Sequence, residues 1–108
     1  MNFYDSNERQ PKEIVAGIKA QTFWGDKMTL ALVTLEPHAV LPPHSHLHEQ
    51  AGYVLAGEIE FTVSGRTKLL RAGDVYIIPG YAEHSVIVGD QQTRLFETFV
   101  PVREDFKY

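Results

Sequence analysis

From residue 14 onward the chain is a succession of short apolar runs, each closed by a turn signal. IVAGIKAQTFW meets Gly25-Asp26, MTLALVTL meets Glu36-Pro37, GYVLA meets Gly57, and EIEFTV meets Ser64-Gly65. TKLLRA then meets Gly73-Asp74, VYIIP meets Gly80, HSVIV meets Gly89-Asp90, and TRLFETFVP closes the series. Runs rich in Val, Ile, Thr and Phe, punctuated by Gly, Asp or Pro every ~8–12 residues, predict an all-β sandwich or barrel. No segment carries the 3.6-residue period of an amphipathic helix, apart from room for one short turn in the polar arm, residues 1–13. EIEFTVSGRTKLL reads as a hairpin. Ile59, Phe61 and Val63 alternate there with Glu58, Glu60 and Thr62, so one face is buried and one is wet. Closure of such strands into a small up-down or jelly-roll barrel removes their exposed edges.

Size and charge narrow the function classes. A chain of 108 residues with 44% hydrophobic residues fits one domain around one core. The ten Lys and Arg are scattered, and the net charge is -4, so nucleic acid is not an expected partner. Cysteine is absent, which excludes disulfides, thiolate metal sites and a Cys nucleophile. The opening MNFYDSNERQPKE lacks the apolar core of a signal peptide, and no apolar run approaches the ~18 residues of a membrane span. A cytoplasmic protein that does not engage membranes is the expectation.

The chemistry-bearing stretch is PPHSHLHEQAGYVLAGE, residues 42–58. Side chains at i, i+2 and i+4 of an extended segment share a face. His44 and His46 therefore aim two imidazoles the same way, and Gln50 keeps their parity. A further imidazole, His84, follows GDVYIIPGYAE far downstream. Imidazoles from two separate segments suit zinc, nickel, iron, copper or manganese, with the fold setting the geometry. The plain alternative is a hydrogen-bonded core histidine or a solvated loop. Pro42-Pro43 stiffens the entry to the segment, and the strand ending at Pro79 brings His84 to a strand mouth, which favours the metal.

These residues resemble the two motifs of the cupin superfamily. The first, G-x5-HxH-x3,4-E-x6-G, falls on His44, His46, Gln50 and Gly57. The second, G-x5-P-x-G-x2-H-x3-N, falls on Gly73, Pro79, Tyr81, His84 and Val88. Here Tyr81 stands for a glycine, Val88 for the asparagine, and a residue near Ala39 for the first glycine. The resemblance implies a small β-barrel with a divalent metal ion held by His44, His46, Gln50 and His84. Its spacing selects Gln50 over Glu49, which has the opposite parity, and leaves His48 in the variable gap as a rim or supporting residue. Three imidazoles and a neutral amide leave the ion its full double charge. That favours polarisation of a bound oxygen, in isomerisation, hydration or lyase chemistry, over redox steps.

The C-terminal RLFETFVPVREDFKY carries the second signal. Leu95, Glu97 and Phe99 share a parity, so a carboxylate faces the interior with two apolar neighbours. Such a group is either paired in a structural network or used as an acid or base. Arg103 can fold over the barrel mouth and grip a carboxylate, or pair with Glu104 or Asp105 at the surface. Together with the histidine segment, this ending is similar to small cupins of the KdgF type across most of residues 28–106. That resemblance implies conversion of cyclic 4,5-unsaturated monouronates, released in pectin and alginate breakdown, to the linear keto form. It implies Glu97, Phe99 and Arg103 as the catalytic trio, with Glu97 standing where the family has aspartate. Tyr53 and Tyr81 are further candidates for the mouth, with core packing expected of Tyr53. A homodimer is expected, to which the Phe3-Tyr4 pair offers a surface. Two other classes stay open: a metal-dependent dioxygenase or lyase on another small acid, and a non-enzymatic small-molecule binder.

Overall fold

The computed structural model describes residues 2–108. Ten strands form it: β1 (Lys12–Val15), β2 (Ile18–Trp24), β3 (Thr29–Leu35), β4 (Val40–His44), β5 (Glu49–Ala56), β6 (Glu58–Val63), β7 (Arg66–Arg71), β8 (Val75–Ile78), β9 (His84–Val88) and β10 (Thr93–Val100). Two short 3-10 turns, Ser6–Glu8 and Glu104–Phe106, are the only helical pieces among the described residues. The strands pair antiparallel in two sheets, ordered β1-β2-β3-β10-β5-β8 and β4-β9-β6-β7. This is the all-β, single-domain architecture that the punctuated apolar runs predict. The end of the N-terminal arm is an edge strand, and its one turn is at Ser6–Glu8. The β6–β7 hairpin turns on Ser64 and Gly65, both at positive φ (48° and 80°), as a two-residue turn matched to strand twist requires.

The core lies between the sheets. Ala31, Val33 and Leu35 of β3, Val54 of β5, Ile59 and Phe61 of β6, Val86 and Val88 of β9, and Leu95 and Phe99 of β10 alternate into it. The six-stranded sheet is apolar on its outer face as well. Strand register places Val75, Tyr53, Phe96 and Leu32 in one outward row and Ile77, Ala51, Thr98, Leu30 and Phe23 in the next. Tyr53, Leu55, Val75 and Ile77 are exposed there. An outward Tyr53 corrects the expectation that it packs in the core or lines the mouth. Both faces of its strand are apolar, so parity could not tell inside from outside. Tyr4 packs its ring on Phe23 of the same chain, 5.5 Å between centroids, while Phe3 remains exposed.

Gly57 shows why the first motif ends in glycine. Its φ is +86°, and a Cβ there would meet the Thr93 hydroxyl, with Gln92 O and Thr93 Cα at 2.7 Å. Thr93 Oγ1 in turn accepts from Glu58 N at 3.1 Å and ties the β5–β6 corner to β10. Gly57→Ala combines left-handed strain with a backbone collision, and the expected loss is about 3 kcal/mol. In a thermal melt this is a fall of roughly 10 °C or more.

Candidate metal and substrate site

Two sheet edges, β1 and β4, flank an opening into the space between the sheets, and the C-terminal turn reaches over it. The cavity there measures about 330 Å³, and His44, Gln50, His84, Glu97, Phe99 and Arg103 line it. Strand pairing accounts for their meeting. His44 ends β4 and His84 opens β9, and the two are direct cross-strand partners. Gln50 of β5 pairs with Phe99 of β10, and Glu97 pairs with Gly52. His46 sits in the loop after β4. The loop is fixed from the second motif, because Tyr81 N donates to His46 O at 2.7 Å. Tyr81 itself is exposed and holds φ +67°, so it keeps the glycine-like backbone of the motif position it occupies, and it does not line the cavity.

One ring nitrogen from each of His44, His46 and His84 lies within 4.8 Å of the others, so the trio can hold a metal ion. Each ring is oriented by a backbone carbonyl on its Nδ1: Pro42 O for His44 (2.9 Å), His48 O for His46 (3.1 Å) and Ala82 O for His84 (2.9 Å). A carbonyl only accepts, so Nδ1 carries the proton and Nε2 offers its lone pair. This is the arrangement that metal-binding imidazoles require. Two further observations fit a cation. The buried Nε2 of His84 has no hydrogen-bond partner. In addition, Gln50 Oε1 stands 3.1 Å from His46 Nε2, one acceptor facing another. The amide is held that way round because its Nε2 donates to Glu97 Oε2 at 2.6 Å.

Burial, aided by Arg103 and His84, lowers His46 to a pKa of about 4, and burial lowers His84 and His48 as well. Burial thus favours the neutral form of His46 and His84, whose Nε2 lone pair can meet a metal ion. The unfolded value is near 6.5. Between those two pH values the unfolded chain binds more protons, so this contribution to stability is lost as pH falls from about 6.5 through about 4. The Tm of chelator-treated protein is expected to drop across that window, and to drop less in His46→Gln. Burial shifts Glu97 the opposite way, which is why the comparison with the variant isolates the histidine. Equal slopes for the two proteins would contradict this assignment.

Glu97 is buried, as its parity with Leu95 and Phe99 predicts. No cation forms an ion pair with it among the described residues; its donors are the Gln50 amide and the Tyr76 hydroxyl, both on Oε2. Burial raises its pKa against the pull of those hydrogen bonds and of the Arg103 charge. Arg103 makes the Asp105 pair that its sequence position allowed, and it also faces the cavity. Its side chain is only 13% exposed, lies 3.8 Å above the Phe106 ring, and lines the cavity. Its Nε and Nη2 also donate to Asp105, at 3.2 and 2.7 Å. Phe99 is fully enclosed, with its ring 5.9 Å from that of His46. His48 is buried beside the cluster, 5.3 Å from the His46 ring, and Glu49 points to solvent. Sequence reading did not nominate Tyr76. Its signal is its parity with Ile78, which turns the ring inward, since a buried tyrosine needs a partner for its hydroxyl.

A barrel of two antiparallel sheets with a histidine trio at its open edge defines a cupin, and residues 31–99 match the cupin domain model. The chain belongs to the cupin family. It is 31% identical over 106 residues to the pectin degradation protein KdgF of Dickeya dadantii (strain 3937), covering 96% of each chain. Among solved structures, an RmlC-like cupin from Shewanella frigidimarina NCIMB 400 superposes with a TM-score of 0.91 at 29% identity, over 98% of this chain and 96% of that one. KdgF from Halomonas sp. superposes with a TM-score of 0.89 at 25% identity, over 97% of each chain. The likeness to KdgF therefore runs through nearly the whole chain.

Proposed function

We propose that this protein is a metal-dependent isomerase that opens cyclic 4,5-unsaturated monouronates to their linear keto form, in pectin and alginate breakdown. The observation that carries this reading is the meeting around one cavity of five residues that match the KdgF pattern, His44, Gln50, His84, Phe99 and Arg103, with Glu97 at the position where that family has aspartate. The end-to-end likeness to a pectin degradation protein supplies the substrate class.

In this reading His44, His46, His84 and Gln50 Oε1 hold a divalent ion: nickel, zinc, iron, manganese or copper. When bound, the ion supplies Lewis acidity to a substrate oxygen. Arg103 takes the uronate carboxylate. Asp105 fixes the plane of its guanidinium through Nε and Nη2, which leaves Nη1 for the substrate. Phe99 packs on the sugar face. Glu97 moves the proton. One proton leaves the anomeric hydroxyl as the ring C–O bond breaks, and one is returned to carbon as the enol becomes the ketone. The reaction consumes neither oxidant nor water. Oε1 is the working oxygen of Glu97, because both hydrogen bonds fall on Oε2.

Loss of the ultraviolet absorbance of the conjugated double bond, followed on an unsaturated monouronate, tests the reading. Metal-loaded protein is expected to speed that loss far beyond buffer, and no acceleration would sink the proposal.

The outer apolar face of the six-stranded sheet packs on a second copy in this proposal, giving a homodimer. Two apolar faces on one antiparallel sheet call for a cover on each. Light scattering is expected to give twice the chain mass, and Ile77→Asp is expected to give a monomer, because Ile77 is 67% exposed on that face, on its edge strand β8.

A further inference from the structure

Cross-strand register places Tyr76 of β8, Gly52 of β5 and Glu97 of β10 side by side on the inner face of the sheet. Tyr76 and Glu97 are thus two strands apart, a span of roughly 9.5 Å at ~4.8 Å per strand. The tyrosine ring bridges that span by lying over Gly52. A Cβ at position 52 would fall on the ring atoms Cζ and Cε2 and on the hydroxyl of Tyr76. The hydroxyl then donates to Glu97 Oε2, and Gln50 Nε2 donates to the same oxygen. All three side chains are buried.

The direction of these hydrogen bonds has a consequence at the other end of the chain. A carboxylate only accepts, so Gln50 must turn its amino group toward Glu97 and its carbonyl oxygen toward His46 Nε2. Left to itself, the Gln50 amide would prefer the reverse orientation, with its amino group donating to that imidazole lone pair. An amide so turned offers a metal ion no oxygen. The choice between the two orientations therefore rests on how firmly Glu97 is held, and Tyr76 is the second donor that holds it. With the hydroxyl gone, Glu97 keeps one donor and can turn about its last torsion, which releases the amide.

We propose that Tyr76 is a positioning residue: its hydroxyl, reaching over Gly52, anchors Oε2 of Glu97, and the anchored carboxylate holds the Gln50 oxygen toward the histidine cluster. The same anchor keeps Oε1 of Glu97 facing the cavity. This rests on the reading of Gln50 as a ligand and of Glu97 as the proton carrier. It adds a residue from the unspecified x5 gap of the second motif, outside the catalytic trio.

The test is Tyr76→Phe, which retains the ring over Gly52 and removes only the oxygen. Zinc titrated into chelator-treated protein by calorimetry is expected to bind about 10- to 100-fold more weakly than to the parent, the usual effect of losing a residue that orients a ligand. Cobalt bound in place of zinc reports the ligand set directly. Its visible absorption is expected to change in position and intensity in the variant, which a purely structural role for Tyr76 would not produce. In a Glu97→Ala background the acceptor is already gone, and Tyr76→Phe is expected to alter zinc affinity less than twofold. On the monouronate, the variant is expected to lose kcat at saturating metal, with KM little changed. If the parent does not turn over the monouronate, the substrate assignment falls, while the zinc and cobalt measurements still decide the role of Tyr76. Equal zinc affinity and an unchanged cobalt spectrum in Tyr76→Phe would overturn it.

Discussion

Replacing Glu97 by glutamine is expected to cut kcat by roughly 10²- to 10⁴-fold at saturating metal, while leaving the protein as stable as before or more so. The two effects have opposite signs for one physical reason. Glu97 is buried, its donors are neutral, and the nearby cation Arg103 pairs with Asp105 instead. A buried carboxylate without an ion-pair partner costs stability, which is why its pKa is raised. Glutamine is nearly isosteric. Its carbonyl oxygen can accept from Tyr76 and Gln50 as Oε2 does, and its amino group then faces the cavity in place of Oε1. The hydrogen-bonded frame survives and the proton carrier does not.

This separates function from architecture at a single atom. Were Glu97 a structural residue, its neutral replacement would leave turnover alone. The expected pattern, a melt shifted upward or not at all with turnover nearly abolished, is that of a group retained at a cost to stability. The variant that loses activity and also several degrees of Tm would count against the assignment. Metal content has to be matched between parent and variant, because Glu97 also holds the Gln50 amide.

What the sequence disclosed follows the range of the interactions involved. Parity within one strand was sufficient to place Glu97 and Phe99 inward and Glu49 outward, because alternation is a local property of extended backbone. Turn chemistry was equally legible: Ser64-Gly65 and Gly57 hold the positive φ that their positions demand. Tyr81 departs from the motif in residue type, yet it holds a positive φ of the kind glycine favours, so the changed residue does not exclude a glycine-like backbone. Strand order was not legible. That β8 lies beside β5, and β5 beside β10, is what lets Tyr76 reach Glu97 over Gly52, and residues 76, 52 and 97 share no local pattern. The side of the sheet that Tyr53 takes is illegible for a related reason. Its neighbours are apolar on both sides of the sheet, and the hydrophobic pattern then carries no information about which side is the core. The Arg103–Asp105 fork falls between the cases. The sequence offered a surface pair and a cavity clamp as alternatives, and the folded turn makes the pair with Asp105 while keeping the same guanidinium at the cavity.

His84→Ala carries the other large effect: loss of metal binding by at least about 100-fold, and turnover reduced to background. His84 is the ligand supplied by the second segment, and it sits opposite His44 across the β4–β9 ladder with ring centroids 4.2 Å apart. Without it, the remaining imidazoles come from a single stretch of chain, residues 44–46, and the fold no longer closes the ligand set. The apoprotein should tolerate the change. His84 Nε2 is buried without a partner, so truncation removes an unsatisfied polar atom along with its packing against Phe61. The lost packing and the lost Nδ1 donation to Ala82 O oppose that gain, and the Tm of chelator-treated variant is expected within a few degrees of the parent. The difference emerges on adding metal. A ligand present at 100 times its dissociation constant stabilises the native state by about 2.7 kcal/mol, which moves the parent's melt upward by roughly 10 °C. His84→Ala at the same metal concentration is expected to melt where its apoprotein does. Elemental analysis of both proteins, purified without chelators, supplies the second measurement. Stoichiometric metal in the variant would show that the site closes without His84, and that the cross-strand pair with His44 serves packing alone.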